Sequence, residues 1–544
     1  MRRFATRDEV DFVIVGSGSA GGILARELAR SGFSVVVLEK GPWVDASQFR
    51  HDEWRTFFEL EWMGSGDGTH EQTFRESEEY EAGPTAVPPA FYAQMVGGSS
   101  VHFTANFWRF HPIDFNERSV LGPISGTTFA DWPIGYDELE PYYTRVDWEV
   151  GVSGEHRSTD PPRSRPYPMP PLAVKSSGVL MDRAAAALGL HSQPAPMAIL
   201  SQVHNGRAPC INCGFCLGYG CEVGAKSSTL AAMIPDAVAS GHCEIRPLST
   251  VSRVELGPDG RARGVRYFDV DGNEHSQAAR AVILSANGAE TARLLLLSDN
   301  LCNGSGMVGR NLMWNGQTAA NGRFAHPLNE YKGPQVTRII HDFYDSDPSR
   351  GFYGGGGLDA RFQPGTPIWF AVGGGLPPSV PTWGTGLKDA LELYYTRTMT
   401  VAVHTTSLPQ DSNNVTLDPT HRDRFGLPAL RVTYRDHDDD LATMSFLQER
   451  SLEILEAAGA EETWAPDVAP QTVGAHLLGT TRMGDDPDTS VVDRFHRTHE
   501  VRNLFCVDGG SFVSSGRGQP TMTIMALAFR AAEHITEFAR RGDL

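Results

Sequence analysis

The chain has 544 residues, 40% of them hydrophobic and 21% charged, with 57 glycines and 35 prolines. That length supports two or three domains around a well-buried core, and the Gly and Pro content suits a large α/β enzyme with many turns. A formal net charge of −19 argues against nucleic acid and anionic lipid as partners, and no apolar run approaches the roughly 18–20 residues of a transmembrane helix.

The opening residues carry Arg2 and Arg3 but no apolar region and no small-residue cleavage site, so the expectation is a cytoplasmic chain with no export address of its own. Residues 11–15 read as a buried strand, 16–31 as a glycine turn entering a helix with Ile23, Leu24 and Leu28 on one face, and 33–39 as a second strand. Together they predict a βαβ unit. Residues 45–95 are polar, acidic and proline-bearing, and predict a long excursion. A second excursion spans 150–200, with a Pro-, Ser- and Arg-rich surface linker at 155–171. Residues 243–285 alternate around Asp259-Gly260 and Asp271-Gly272, which predicts a β-meander. A buried strand at 281–286 and a helix through Leu294–Leu297 follow. Residues 311–460 predict a sheet-based second domain, with strands at 399–405 and 428–434 and a helix near 438–458. The stretch 503–539 reads as strand, glycine turn and helix.

Gly16, Gly18 and Gly21 form G-x-G-x-x-G between strand and helix, with Ser19 inside the turn. The glycines permit a tight turn, close approach of backbone to a pyrophosphate and close helix packing. The helix N-terminus then faces the phosphates. Glu39 ends the second strand 18 residues past Gly21, where a carboxylate can hold both ribose hydroxyls and repel a 2′-phosphate. This predicts dinucleotide binding without separating FAD from NAD.

Four of the seven cysteines, Cys210, Cys213, Cys216 and Cys221, fall within twelve residues. An odd count without a signal peptide argues against a disulfide framework. The first three match the opening of a ferredoxin-type ligand run. An iron–sulfur cluster, a reduced-thiol structural turn and zinc all stay open, although zinc usually draws its pairs from separated turns.

The segment from Gly97 to Asn106, the run Asp131–Ile134 with Tyr136–Leu139 and Pro141–Tyr143, and the stretch from Gly474 to Ile535 together resemble the glucose-methanol-choline (GMC) oxidoreductases. That last stretch includes His476, Arg482-Met483-Gly484, Asp508-Gly509 and Pro520-Thr521. The resemblance covers both ends and the middle, leaving mainly 320–400 unmatched. It is closest in style to the flavoprotein subunits of bacterial sugar and gluconate dehydrogenases. It implies an α/β fold in which a Rossmann-like FAD-binding domain (1–310, with the two excursions) joins a β-sheet-based substrate-binding domain (311–465). The chain then returns to the FAD-binding domain at 466–544 with the catalytic residues.

The resemblance also implies FAD as cofactor. Gly97, Gly98, Ser99 and Ser100 offer small side chains and N–H groups to the flavin, and Asp508 and Gly509, with Thr521 at the following helix, offer contacts to the ribityl and pyrophosphate. His476 takes the place of the family's base, which removes the hydroxyl proton while hydride leaves for the flavin. The family's second catalytic position, usually His or Asn, falls on Gln519, 43 residues later. Gln keeps an amide donor and acceptor but cannot act as a base. His102, two residues after Ser100, carries two readings: a covalent link to flavin, as in some sugar-oxidising members, or packing against the flavin edge. Certain bacterial members hold an iron–sulfur cluster in a cysteine-rich loop, and other relatives carry a similar loop without one.

The expected function is therefore oxidation of a sugar or polyol CH–OH group, with electrons passing to an external acceptor or a partner subunit. A signal-bearing partner would make the location periplasmic. The polar and aromatic residues of 314–400, including Trp314, Asn315, Tyr353, Trp369 and Trp383, favour a sugar, since aromatic faces stack on its C–H surfaces. The alternatives are an oxygen-using oxidase of hydrophobic alcohols and a non-catalytic electron-transfer subunit.

Overall fold

The computed structural model describes residues 3–62 and 72–544. The predicted βαβ unit is present as the strand Val10–Val15, the helix Gly21–Arg30 and the strand Val35–Leu38. Both strands are near-continuous apolar runs, as a sheet covered on two faces requires. They pair in parallel, with Phe12 opposite Val35 and Val15 opposite Leu38. The helix buries Ile23, Leu24 and Leu28, and the long C-terminal helix Thr521–Arg541 packs against it.

The predicted meander divides in two. Cys243–Arg246 lies parallel to Val35–Leu38 at one edge of the central sheet, because Pro247 and Leu248, at φ +55°, turn the chain away before the next strand. The meander itself comprises Thr250–Leu256, Ala262–Phe268 and Glu274–Leu284. The third strand changes partners along its length. Residues 274–278 pair antiparallel within the meander, and residues 279–284 pair parallel with Val10–Val15. Leu504–Cys506 then adds in parallel on the far side, giving a seven-stranded sheet.

Residues 311–460 do not build one self-contained sheet. Glu462–Trp464, Gln317–Arg323, Thr398–Thr405, Gly356–Arg361, Arg338–Ile340 and Ser192–Pro194 form a six-stranded sheet in that order, and the helix Asp438–Ala457 packs against it. The expected strand at 428–434 is present as Pro428–Thr433 but pairs elsewhere. It joins Asn414–Arg422 and, in parallel, Gln72–Arg75 from the first excursion. Both excursions thus add strands to sheets made from later sequence. Residues 63–71 of the first excursion lie outside the described residues. The stretch 155–171 contains no named helix or strand and is largely exposed, as a linker should be. Among the described residues no helix is long and apolar enough to cross a membrane.

Candidate active site

Segments far apart in sequence converge on one cavity of about 580 Å³. Its wall includes Gly16, Gly18 and Ser19 from the glycine turn, Glu39, the run Gly98, Ser99 and Ser100, and His102. From the C-terminal region come His476, Asp508, Gly509, Gln519 and Thr521.

At one end the backbone comes unusually close. Gly16 holds φ +93°, and a Cβ there would stand 2.4 Å from the Ser285 carbonyl oxygen. A Cβ on Gly21 would meet the Gly16 carbonyl oxygen at 2.1 Å, so the helix can approach the turn only as glycine. Gly98, at φ +57°, brings its Cα side against Gly18, where an added Cβ would lie 2.8 Å from the Gly18 Cα. No side chain caps the helix Gly21–Arg30, and its first turn carries no acid. Its positive end is therefore available to phosphate.

Ser17 ties these parts together. Its hydroxyl donates to Glu39 Oε2 at 2.7 Å and accepts from the Gly97 N–H at 3.1 Å. The Ser17 and Gly41 N–H groups donate to the two Glu39 oxygens at 3.0 and 2.9 Å. Burial raises the Glu39 pKa against the pull of these bonds. Within the loop, Ser100 Oγ donates to the Gly97 carbonyl at 2.8 Å, and Ser99 Oγ accepts from the Ala93 N–H at 3.0 Å. Asp508 is equally constrained. Thr291 Oγ1 donates to one oxygen at 2.6 Å and the Gly510 N–H to the other at 2.8 Å, while burial pushes its pKa up to about 6.

His102 is buried, with Nδ1 at 2.8 Å from the Gly218 carbonyl and Nε2 at 2.9 Å from Met95 Sδ. Burial, and then the Lys226 ammonium, lower its pKa to about 3. The ring is neutral, and its one proton sits on Nδ1, facing the carbonyl.

At the other end His476 meets Asn315. The Asn315 amide nitrogen faces the carbonyls of Thr405, Gly516 and Ser515 at 3.0, 3.2 and 3.4 Å. Its oxygen is left toward His476 Nδ1 at 3.1 Å. An acceptor there requires Nδ1–H, so Nε2 carries the free lone pair. Burial, with His404 adding to it, lowers the His476 pKa to about 3, which keeps the ring neutral.

Gln519 borders the same cavity, and its Nε2 lies 3.2 Å from Nδ1 of His404. His404 sits in the strand Thr398–Thr405 and is 4% exposed. Its Nε2 is 2.8 Å from Asp359 Oδ2 and 3.0 Å from Arg361 Nη2. Asp359 also receives Arg361 Nε at 2.5 Å and Asn106 Nδ2 at 3.0 Å. Burial would raise its pKa, but Arg361 and His404 overcome that and hold it at about 2. Two residues before Gln519, the buried Arg517 donates to Asp114 Oδ1 at 2.5 Å, to Glu117 Oε2 at 2.9 Å and to the Tyr344 carbonyl at 2.8 Å. These bonds pin the loop that carries Gln519.

Two family models cover most of the chain. Both are described as GMC oxidoreductase, and they match residues 10–315 and 409–528. The chain belongs to the GMC oxidoreductase family. The chain is 33% identical to a 2-methyl-1,2-propanediol dehydrogenase of Mycolicibacterium austroafricanum, over 97% of this chain and 95% of that one. It is 29% identical to a fructose dehydrogenase large subunit of Gluconobacter japonicus, over 98% of each. The fold matches a crystal structure of pyridoxine 4-oxidase from Mesorbium loti with a TM-score of 0.65 at 18% identity, covering 97% of this chain and 99% of that one. This GMC oxidoreductase is thus an FAD-dependent enzyme of alcohol-type substrates. Its glycine cradle, uncapped helix end and buried carboxylates have the chemistry that FAD needs.

The cysteine loop does not fit a cluster. Among the described residues no three His, Cys, Asp or Glu side chains are placed to hold a metal ion. Iron–sulfur ligation by Cys210, Cys213, Cys216 and Cys221 is not supported, nor is zinc. The Lys226 ammonium occupies the inside of the loop, donating to the carbonyls of Cys216, Tyr219 and Phe103 at 2.5, 2.8 and 3.0 Å. Burial lowers its pKa to about 8 and raises that of Cys216 to about 12. Cys210 and Cys221 accept N–H bonds from Asn212 and Lys226 at 3.4 and 3.5 Å.

Of the aromatics expected to favour a sugar, Trp369 lines the cavity and stacks on Phe57 at 4.2 Å. Trp314 is core, stacked on Tyr434 at 3.9 Å, Tyr353 bonds to Glu117 at 2.6 Å, and Trp383 is 82% exposed. Ser17, His404, Asp359 and Arg517 escaped the sequence reading, and Asn315, named there only among residues favouring a sugar, was not linked to His476. The Asp359-x-Arg361 spacing, two charges on one face of an otherwise apolar strand, was the signal available for the His404 network.

Proposed function

We propose that this enzyme oxidises a CH–OH group of a sugar or polyol, with His476 as the general base. The observation that carries the reading is the bond between Asn315 and His476 Nδ1, which leaves a bare Nε2 on a ring that lines the cavity. FAD, when bound, supplies the acceptor for the hydride of the carbinol carbon. Gly16, Gly18, Ser19 and Gly21 would hold its pyrophosphate, Glu39 its ribose, and Gly97–Ser100 and Asp508–Gly509, with Thr521, its flavin half. His476 Nε2 takes the hydroxyl proton. The ring is neutral, its pKa lowered by burial to about 3, so its Nε2 lone pair is free to accept that proton. Gln519, which borders the same cavity, offers its amide to the substrate.

His102 is read as packing against the cofactor, since Gly218 and Met95 already engage both ring nitrogens. The names of the two relatives, a diol dehydrogenase and the large subunit of a sugar dehydrogenase, support both the substrate class and an external acceptor or partner subunit. The test is anaerobic mixing with sugars and polyols while the flavin absorbance is followed. Substrate should bleach the flavin in the native enzyme. His476→Ala should keep its flavin, released by acid, and lose the bleaching. Bleaching at the native rate in that variant would overturn the assignment.

A further inference from the structure

The second wall of the site is a chain of hydrogen bonds whose direction is fixed from its buried end. Asp359 is fully buried and ionised, held so by Arg361 and His404. A carboxylate only accepts, so at 2.8 Å from His404 Nε2 it requires the ring proton there. Arg361 Nη2, at 3.0 Å from the same nitrogen, has two N–H groups and donates one of them to Asp359; the carboxylate, the nearer partner and unable to face a bare lone pair, sets the proton on Nε2. Burial keeps the His404 ring to a single proton, so Nδ1 is a bare lone pair. The amide of Gln519 must then offer N–H to it, in agreement with the 3.2 Å contact from Nε2. Each donation polarises the next bond and leaves negative charge on the far oxygen. The Arg361 charge, which also borders the cavity, is matched by Asp359 at contact distance.

We infer that Gln519 presents its carbonyl oxygen to the substrate and accepts a hydroxyl other than the one being oxidised, which makes a neutral diol or polyol the preferred substrate. His404 and Asp359 are the positioning residues that hold the amide in this sense. The inference rests on the proposed role of His476. The two walls then present two acceptors, His476 Nε2 and Gln519 Oε1, and a substrate satisfies both only with two hydroxyl donors. A single alcohol covers the amide oxygen without matching it, which selects against it.

The experiment compares propylene glycol with propanol in anaerobic flavin reduction, and pinacol with tert-butanol in equilibrium binding read from the flavin spectrum. The second pair cannot be oxidised. The native enzyme should favour the diol by about tenfold or more in both assays. Gln519→Leu should bring both ratios to about one, and His404→Phe, which frees the amide to turn, should lower them several-fold, chiefly through KM. Flavin content serves as the folding control, and if one variant fails to fold the other carries the test. A native ratio near one, or a diol preference that survives in the variants, would overturn the inference. If no alcohol reduces the flavin, the base assignment fails alone, because the unreactive pair still reads the amide.

Discussion

Asn315 Oδ1 stands 3.1 Å from His476 Nδ1, on a backbone held at φ +59°. The asparagine is itself oriented by three carbonyls, so the imidazole tautomer is set two bonds away from the substrate. Asn315→Gly keeps the left-handed backbone and removes the amide. Flavin reduction by an alcohol should slow by about 10–100-fold with FAD still bound. An unchanged rate in stopped-flow would show that the ring keeps its tautomer unaided.

The pH behaviour follows from the same ring. As the proposed base, His476 would work while neutral, and burial lowers its pKa to about 3. The rate of flavin reduction should therefore stay level well below the ordinary imidazole pKa of about 6.5. An acid limb centred near that value would contradict the assignment.

Stability should respond in the opposite way. His102, His341, His476 and His496 are all lowered to about 3, with burial the first cause in each. The unfolded chain binds protons at these rings near pH 6.5, and the folded chain does not until near 3. Their contribution is thus complete above about 6.5 and is lost as the pH falls toward 3, by up to about 1.4 kcal/mol per pH unit for each ring. Urea midpoints measured across that window should drop steadily, and a flat profile would refute the burial argument.

Arg517 lies between Asp114 and Glu117, all three buried. Arg517→Met leaves two carboxylates in the interior without their cation. The expected loss is about 3–5 kcal/mol of stability, measured by denaturant unfolding. Because Arg517 lies in the loop that carries Gln519, KM should also rise in whatever fraction folds.

Gly98→Ala places a methyl against Gly18 where the two backbones form the cofactor cradle. The expected result is a protein purified with reduced FAD content, and one that retains full flavin would show that the loop can shift.

The parts of the site that were readable in the sequence are those set by local spacing. Gly16, Gly18, Gly21 and Glu39 act within one βαβ unit, and their distances along the chain are the distances that matter. The Asn315, His404 and Arg517 contacts join residues 161, 115 and 403 positions apart, and no periodicity links them. His404 was further hidden by its strand, where all eight residues are buried and a histidine reads as core. The pairing of the strands was not legible for a related reason. A strand's propensity says that it will pair, not with what, and Pro428–Thr433 chose a partner from residues 72–75. The cysteine spacing gave no sign of Lys226, whose buried ammonium bonds to two of the loop's carbonyls.

The strand Glu274–Leu284, shared by the meander and the central sheet, bears on how this chain is made. During synthesis its second half can find Val10–Val15 early, but its other neighbour, Leu504–Cys506, emerges more than two hundred residues later. Until then the most apolar sheet of the protein carries an open edge at its centre. A nascent or truncated chain that stops short of residue 504 is consequently a sticky species, for which chaperone capture or self-association competes with completion.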